Sequence, residues 1–147
     1  MPRNPWLITG GCLSLIASAL HIACIIGGPA WYRFFGAGEA MAQAAERGEP
    51  YPALITFAIA VILALWGAYA FAGAGLIRRL PLMRTALVAI SAIYLLRGAA
   101  LIPALAVPAM NSPFNIWSSV IVLGYGFAYL IGTWRAWPSL SRKEGLI

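Results

Sequence analysis

Residues 53–77 read ALITFAIAVILALWGAYAFAGAGLI and carry no charged side chain. A bilayer hydrocarbon core about 30 Å thick is crossed by a helix of about 20 mostly apolar residues. Because lipid offers no hydrogen-bond partners, each backbone amide must be paired inside the segment, as it is in a helix. This stretch therefore predicts a membrane-spanning helix, and it decides the fold class of the chain.

Three further apolar stretches have the length of a membrane span. They cover about residues 6–28, 85–105 and 116–134, and Arg97 is the one formal charge within them. The 78–84 and 106–115 loops are short enough to join neighbouring antiparallel helices, and the longest loop is 29–52. The sequence therefore predicts an all-α integral membrane protein, an antiparallel bundle of four transmembrane helices that forms one domain over residues 1–147.

The composition of the whole chain agrees with this class. Hydrophobic residues make up 62% of the 147 residues and charged residues 10%, whereas a soluble domain has about 45–50% and about 25%. So few charges cannot cover the surface of a soluble protein. A cytosolic enzyme, a disordered chain and a nucleic-acid-binding module are excluded, although the net charge is +6.

The basic residues predict the orientation of the chain. Lys and Arg are concentrated in cytoplasmic segments of membrane proteins. Seven of the ten basic residues fall on one predicted side, in the N-terminal end, the 78–84 loop and the C-terminal tail. We therefore expect a multi-pass cell-membrane protein, of the bacterial inner-membrane type, with both termini in the cytoplasm and the 29–52 and 106–115 loops outside.

Two segments outside the spans carry local predictions. Residues about 37–47 are rich in strong helix formers and are followed by Gly48 and Pro50, which end helices. They predict a short helix on the outer surface between the first and second spans. The tail after Pro138 is polar and is expected to be loose.

Arg97 is the most informative residue because a charge inside a membrane span is costly and often marks a site or pathway. Its position places it about 12 Å from the outer end of the third span. Three kinds of partner are open: a carboxylate of the first loop, with Glu39 ahead of Glu46 and Glu49; backbone carbonyls and Tyr hydroxyls; or an anionic or carbonyl-bearing ligand. A purely structural Arg, satisfied inside the bundle, is the alternative.

His21 lies on a stripe of small and polar residues of the first span. The stripe repeats at three- and four-residue spacing, which places its members on one helix face and permits close helix contact. His21 is expected in the outer half, at a depth similar to that of Arg97. It lines a site there or hydrogen bonds to a neighbour for packing. The stripe comprises Gly10, Ser14, Ser18, His21, Cys24 and Gly28.

Several aromatic residues lie away from the ends of the predicted spans, among them Trp66, Tyr94 and Tyr125. They form either a core of stacked rings or the wall of a ligand pocket, because ligand sites are mostly apolar and aromatic with a few polar groups.

These residues suggest three alternative functions. The first is binding or carriage of an amphipathic molecule, such as a lipid or quinone, in an outward-facing pocket around Arg97 and His21. Trp66, Tyr94 and Tyr125 would contact its tail, and Glu39 or Glu46 would gate or neutralise the site. The second is a membrane enzyme with His21 as acid or base, Arg97 stabilising negative charge and Glu39 assisting. The third is a structural subunit of a membrane complex.

No metal site is predicted, since the single His lacks a carboxylate companion at helix spacing. Any cofactor stays open. A homo-oligomer is expected because four helices of this size enclose little volume.

Overall fold

The computed structural model describes residues 3–142, so Lys143 of the predicted cytoplasmic tail lies outside the described residues. The described chain is helical throughout, with connecting turns and a single 3₁₀ turn at Pro108–Met110. Its α-helices are α1 (Pro5–Gly27), α2 (Pro29–Phe34), α3 (Glu39–Glu46), α4 (Tyr51–Gly73), α5 (Met83–Gly98), α6 (Leu101–Ala106) and α7 (Pro113–Arg142).

Four helical segments are long and apolar enough to cross a membrane. They are Pro5–Gly27, Tyr51–Gly73, Met83–Ala106 and Pro113–Ser141. The third combines α5 and α6 across a turn at residues 99–100. The predicted fold class is confirmed, and the chain is a multi-pass membrane protein.

The loop between the first two spans contains two short helices, although the sequence predicted one. α3 corresponds to the predicted surface helix. α2 begins at Pro29, whose fixed φ suits the first position of a helix. Gly36 and Gly38 both have positive φ angles, of 71° and 101°. Side chains disfavour this backbone region, so the two glycines allow the turn that separates α2 from α3.

The prediction of a loose tail after Pro138 is wrong for the described residues, because α7 continues to Arg142. Pro138 removes one backbone donor from the helix. The last carbonyls of a helix also lack partners inside it, and Arg79 bonds to two of these in α7. Its guanidinium donates to the carbonyls of Ser139 at 3.1 Å and Leu140 at 2.8 Å, and the Leu140 side chain is buried.

The chain divides into two compact units. The first unit contains the chain up to Ser14 and from Trp66 onward, and the second contains Leu15–Leu65. In the first unit, α5 packs along α7. Leu7 is fully buried there, against Gly73 and Gly132.

The second unit has its own small core around Cys24, Tyr32 and Ala42. Phe35, Met41 and Ala45 pack against this core, so α2 and α3 cover it. The Ser18 hydroxyl donates to the carbonyl of Ala60 at 2.7 Å. This hydrogen bond links the later part of α1 to the earlier part of α4.

Candidate functional site

Arg97 lies in the last turn of α5, and its side chain is exposed. It is nine residues before the end of the third span, which corresponds to about 14 Å along a helix axis. The guanidinium therefore belongs to a segment that the bilayer surrounds. A charge in that position must be paired, hydrated or drawn toward the interface.

Two serine hydroxyls of α7 face Arg97. Its Nη1 donates to Ser119 Oγ at 3.3 Å, and its Nη2 lies 3.5 Å from Ser118 Oγ. Both distances are long for hydrogen bonds, and a guanidinium has five N–H donors. Within residues 3–142, Arg97 thus has two weak, neutral partners and a large remaining capacity to donate hydrogen bonds.

The predicted carboxylate partners of Arg97, Glu39 and Glu46, lie in the second unit and contact a different arginine. Arg33 holds Glu39 through two hydrogen bonds, Nε to Oε2 at 2.9 Å and Nη2 to Oε1 at 2.7 Å. Its Nη1 donates to Glu46 Oε1 at 2.8 Å. Hydrogen bonding to Arg33 lowers the pKa of Glu39 and raises the pKa of Arg33 above its ordinary value. Because this network is fully exposed, water and salt screen it strongly.

The three predicted aromatic residues of the first unit do come together. Tyr94 is buried and lies edge-on to Trp66, with ring centroids 5.0 Å apart, and to Tyr125 at 5.4 Å. Edge-to-face contacts at these distances are favourable beyond the area they bury. The rings pack on one another around Tyr94.

Ser14 ties this aromatic cluster together, a role that the sequence did not indicate. Its buried hydroxyl lies 2.7 Å from the phenol oxygens of both Tyr94 and Tyr129. Tyr129 in turn donates to the backbone carbonyl of Trp66 at 3.0 Å. The hydroxyls of Ser14, Tyr94 and Tyr129 thereby all have partners, as is usual for buried polar groups. The only sequence signal was the position of Ser14 on the polar stripe of α1.

His21 belongs to the second unit and is partly buried. Its Nδ1 lies 2.7 Å from the carbonyl of Ala17, one turn earlier on the same helix. Since a carbonyl oxygen can only accept, Nδ1 is the donor of this hydrogen bond. Within the described chain, no cluster of three or more His, Cys, Asp or Glu side chains is arranged to hold a metal ion.

A groove between α5 and α7 was not predicted. It has a volume of about 310 Å³ and is almost entirely apolar at its surface, which is near the lower end of the usual size range for ligand pockets. The residues that line the groove repeat at three- and four-residue spacing on both helices, so each set lies on one helix face. They are Val88, Ser91, Ala92 and Leu95 on α5, and Leu130, Thr133, Trp134 and Trp137 on α7.

Comparisons of the chain with protein-family models, curated proteins and solved structures found no significant match.

Proposed function

We propose that this membrane protein binds an amphipathic molecule from the bilayer, with an oxygen-rich polar head on Arg97. The exposed guanidinium of Arg97, held in a membrane-spanning segment by two long hydrogen bonds to neutral hydroxyls, carries this proposal. A ligand that brought a phosphate, carboxylate or carbonyl oxygen would supply the strong acceptors that the described chain does not place there.

The neighbouring hydroxyls favour the same chemistry. Ser118 and Ser119 lie beside the guanidinium on one helix. A hydroxyl rotates freely enough to accept from Arg97 or to donate to a ligand oxygen. One guanidinium with two hydroxyls is suited to a head group that has several oxygens.

The charge of the head group determines the expected order of ligand affinities. Hydrogen bonds from a guanidinium to an ionised oxygen are roughly twice as strong as neutral ones. A phosphate or carboxylate head is therefore expected to bind more tightly than the carbonyl of a quinone. Glu39 and Glu46 already share Arg33 as counter-ion, so the proposal does not require them as a gate.

The proposal places both termini in the cytoplasm, following the basic residues, and the chain in a bacterial inner membrane. Arg97 then lies in the outer half of the bilayer. The ligand would enter laterally from the outer leaflet.

The test measures ligand-dependent thermal stability of the purified protein in detergent. Oleate, phosphatidylglycerol and a ubiquinone analogue serve as probes for a carboxylate, a phosphate and a carbonyl. We expect the two anions to raise Tm more than the quinone does, and Arg97→Gln to abolish most of that shift. Arg97→Lys keeps the charge but loses the planar fork, so it should retain part of the shift.

Arg135→Gln is the matched control, because Arg135 is an exposed arginine of the same unit that lies near the Trp6 ring. Equal shifts for wild type, Arg97→Gln and Arg135→Gln would reject Arg97 as the head-group site. A quinone shift larger than both anion shifts would reject the proposed order of ligands.

A further inference from the structure

The groove between α5 and α7 is open at the protein surface, along two membrane-spanning segments. Leu130 is 44% exposed and Trp134 is 76% exposed, so the groove is open along its length. In a bilayer such an apolar surface is in contact with hydrocarbon. The residues of α5 that line the groove extend from position 88 to position 95, which is about 10 Å along the helix axis.

One hydroxyl in the groove wall is unsatisfied. Thr133 is 5% exposed, and its Oγ1 has no hydrogen-bond partner within residues 3–142. A buried hydroxyl without a partner is unfavourable, and most helical Thr residues avoid this by bonding to a carbonyl one turn earlier. Ser91, on the opposite wall, does this through the Leu87 carbonyl at 2.7 Å. Thr133 itself lines the groove, and Thr side chains in helices occupy two χ1 rotamers, so its hydroxyl has a second orientation open to it.

A positive charge lies at one end of the groove. The Arg84 guanidinium is 4.3 Å from the centroid of the Trp137 ring, and Trp137 lines the groove. Arg84 precedes Val88 by one turn of α5, and Thr133 precedes Trp137 by one turn of α7, about 6 Å. A stacked arginine and tryptophan at the end of a span is typical of the membrane interface.

The order of groups along the groove is therefore cation, hydroxyl and hydrocarbon. A phospholipid has the complementary order of phosphate, ester carbonyl and acyl chain. We propose that this groove binds an anionic phospholipid, with its phosphate beside Arg84, its ester carbonyl accepting a hydrogen bond from Thr133, and one acyl chain along α5 and α7. This site is separate from Arg97, which is at the opposite end of α5.

The experiment locates a photoactivatable lipid on the full-length protein. The protein is reconstituted into phosphatidylcholine nanodiscs that contain a trace of phosphatidylglycerol with a diazirine in one acyl chain. After illumination, mass spectrometry of the peptides identifies the labelled residues. We expect label within 88–95 or 130–137, and about fivefold less label when the diazirine is carried by phosphatidylcholine, whose head group has no net charge.

Matched variants test each part of the site. Ala92→Trp fills the groove and should remove at least nine-tenths of that label, whereas Ala89→Trp, an exposed alanine of α5 outside the groove, should leave it unchanged. Thr133→Val should lower labelling about threefold to tenfold, and Thr133→Ser, which retains the hydroxyl, should not. Arg84→Gln should abolish the preference for phosphatidylglycerol.

Three results would overturn the proposal. Equal labelling of Ala92→Trp and Ala89→Trp, or label confined to peptides outside 88–95 and 130–137, would show that the groove holds no lipid chain. Equal labelling by the two lipids in the wild type would show that the site does not select an anionic phospholipid. If Ala92→Trp does not fold, Val88→Phe fills the same groove from an exposed position and replaces it.

Discussion

At the residue scale, the Ser14 hydroxyl forms hydrogen bonds with two tyrosine hydroxyls. It is fully buried and joins Tyr94 to Tyr129, two residues of different helices. Tyr129 keeps a second partner in the Trp66 carbonyl. Tyr94 has no other hydrogen-bond partner within residues 3–142, so its phenol depends on Ser14 more than that of Tyr129 does.

Ser14→Ala should therefore destabilise the protein by about 1–3 kcal/mol, because it leaves the Tyr94 hydroxyl buried without a partner. Adding Tyr94→Phe removes that unpaired hydroxyl as well. The double variant should then be more stable than the sum of the two single effects predicts. Thermal or chemical unfolding in detergent measures all four proteins, and strict additivity would show that the two hydroxyls do not interact.

At the scale of the elements, the close packing of α5 against α7 depends on two glycines, Gly98 and Gly126. A Cβ atom at position 98 would lie 2.6 Å from Leu123 Cγ and 2.9 Å from its Cα. At position 126 it would lie 2.7 Å from Leu95 Cδ2 and 3.0 Å from the Leu95 backbone nitrogen. Since backbone atoms cannot rotate away as side-chain ends do, a methyl group at either position would force the helices apart.

Gly98→Ala and Gly126→Ala should each destabilise the protein by about 1–3 kcal/mol through this overpacking. Gly124→Ala is the matched control on α7, because among the described residues no atom beyond its own stretch of helix lies within 4 Å of a Cβ there. It should be neutral or stabilise by up to about 1 kcal/mol, as alanine favours helix more than glycine does. The comparison uses Tm in one detergent; equal effects of Gly124→Ala and Gly126→Ala would contradict close packing.

The ion-pair network between α2 and α3 depends on pH. Arg33 lowers the pKa of Glu39, so the folded form holds the ionised carboxylate better than the unfolded form does. The resulting stabilisation is present above the pKa of the unfolded state and is lost as the pH falls through the lowered pKa of Glu39. The effect is local and modest because the network is exposed.

Hydrogen exchange of the α3 amides should therefore accelerate as the pH drops below the usual carboxylate range, after correction for the intrinsic pH dependence of exchange. Arg33→Gln should remove most of this change. Arg47→Gln is the control, because Arg47 pairs with Glu49 instead. An unchanged α3 profile in Arg33→Gln would show that the network does not stabilise this helix.

At the scale of the whole molecule, the distribution of basic residues sets the expected topology. Alkaline phosphatase is active only outside the cytoplasm. Fusions after residue 147 should therefore be inactive and fusions after Gly48 active, with fluorescent-protein fusions giving the opposite pattern. An active phosphatase at the C-terminus would invert the proposed orientation and place Arg97 in the inner half of the bilayer. The predicted homo-oligomer is checked separately by the mass of the protein in detergent.

The sequence alone determined the class of the protein and the number of its spans. Uncharged runs of about twenty residues suffice for this, because lipid forces the backbone to pair within each segment. It also identified Arg97, since a charge in an apolar run is visible without any structure. The extent of α7 was not predictable, because it depends on Arg79, sixty residues earlier, which caps its last carbonyls.

Tertiary structure alone decided which side chains meet. The aromatic residues were predicted to lie away from the span ends, but their packing around Tyr94 and the role of Ser14 depend on how helices rotate about their axes. The same rotation gave Arg97 serine partners on α7 and left Thr133 unpaired beside the groove. Hydropathy records how apolar a segment is, whereas these contacts follow from close packing at individual residues, which hydropathy does not contain.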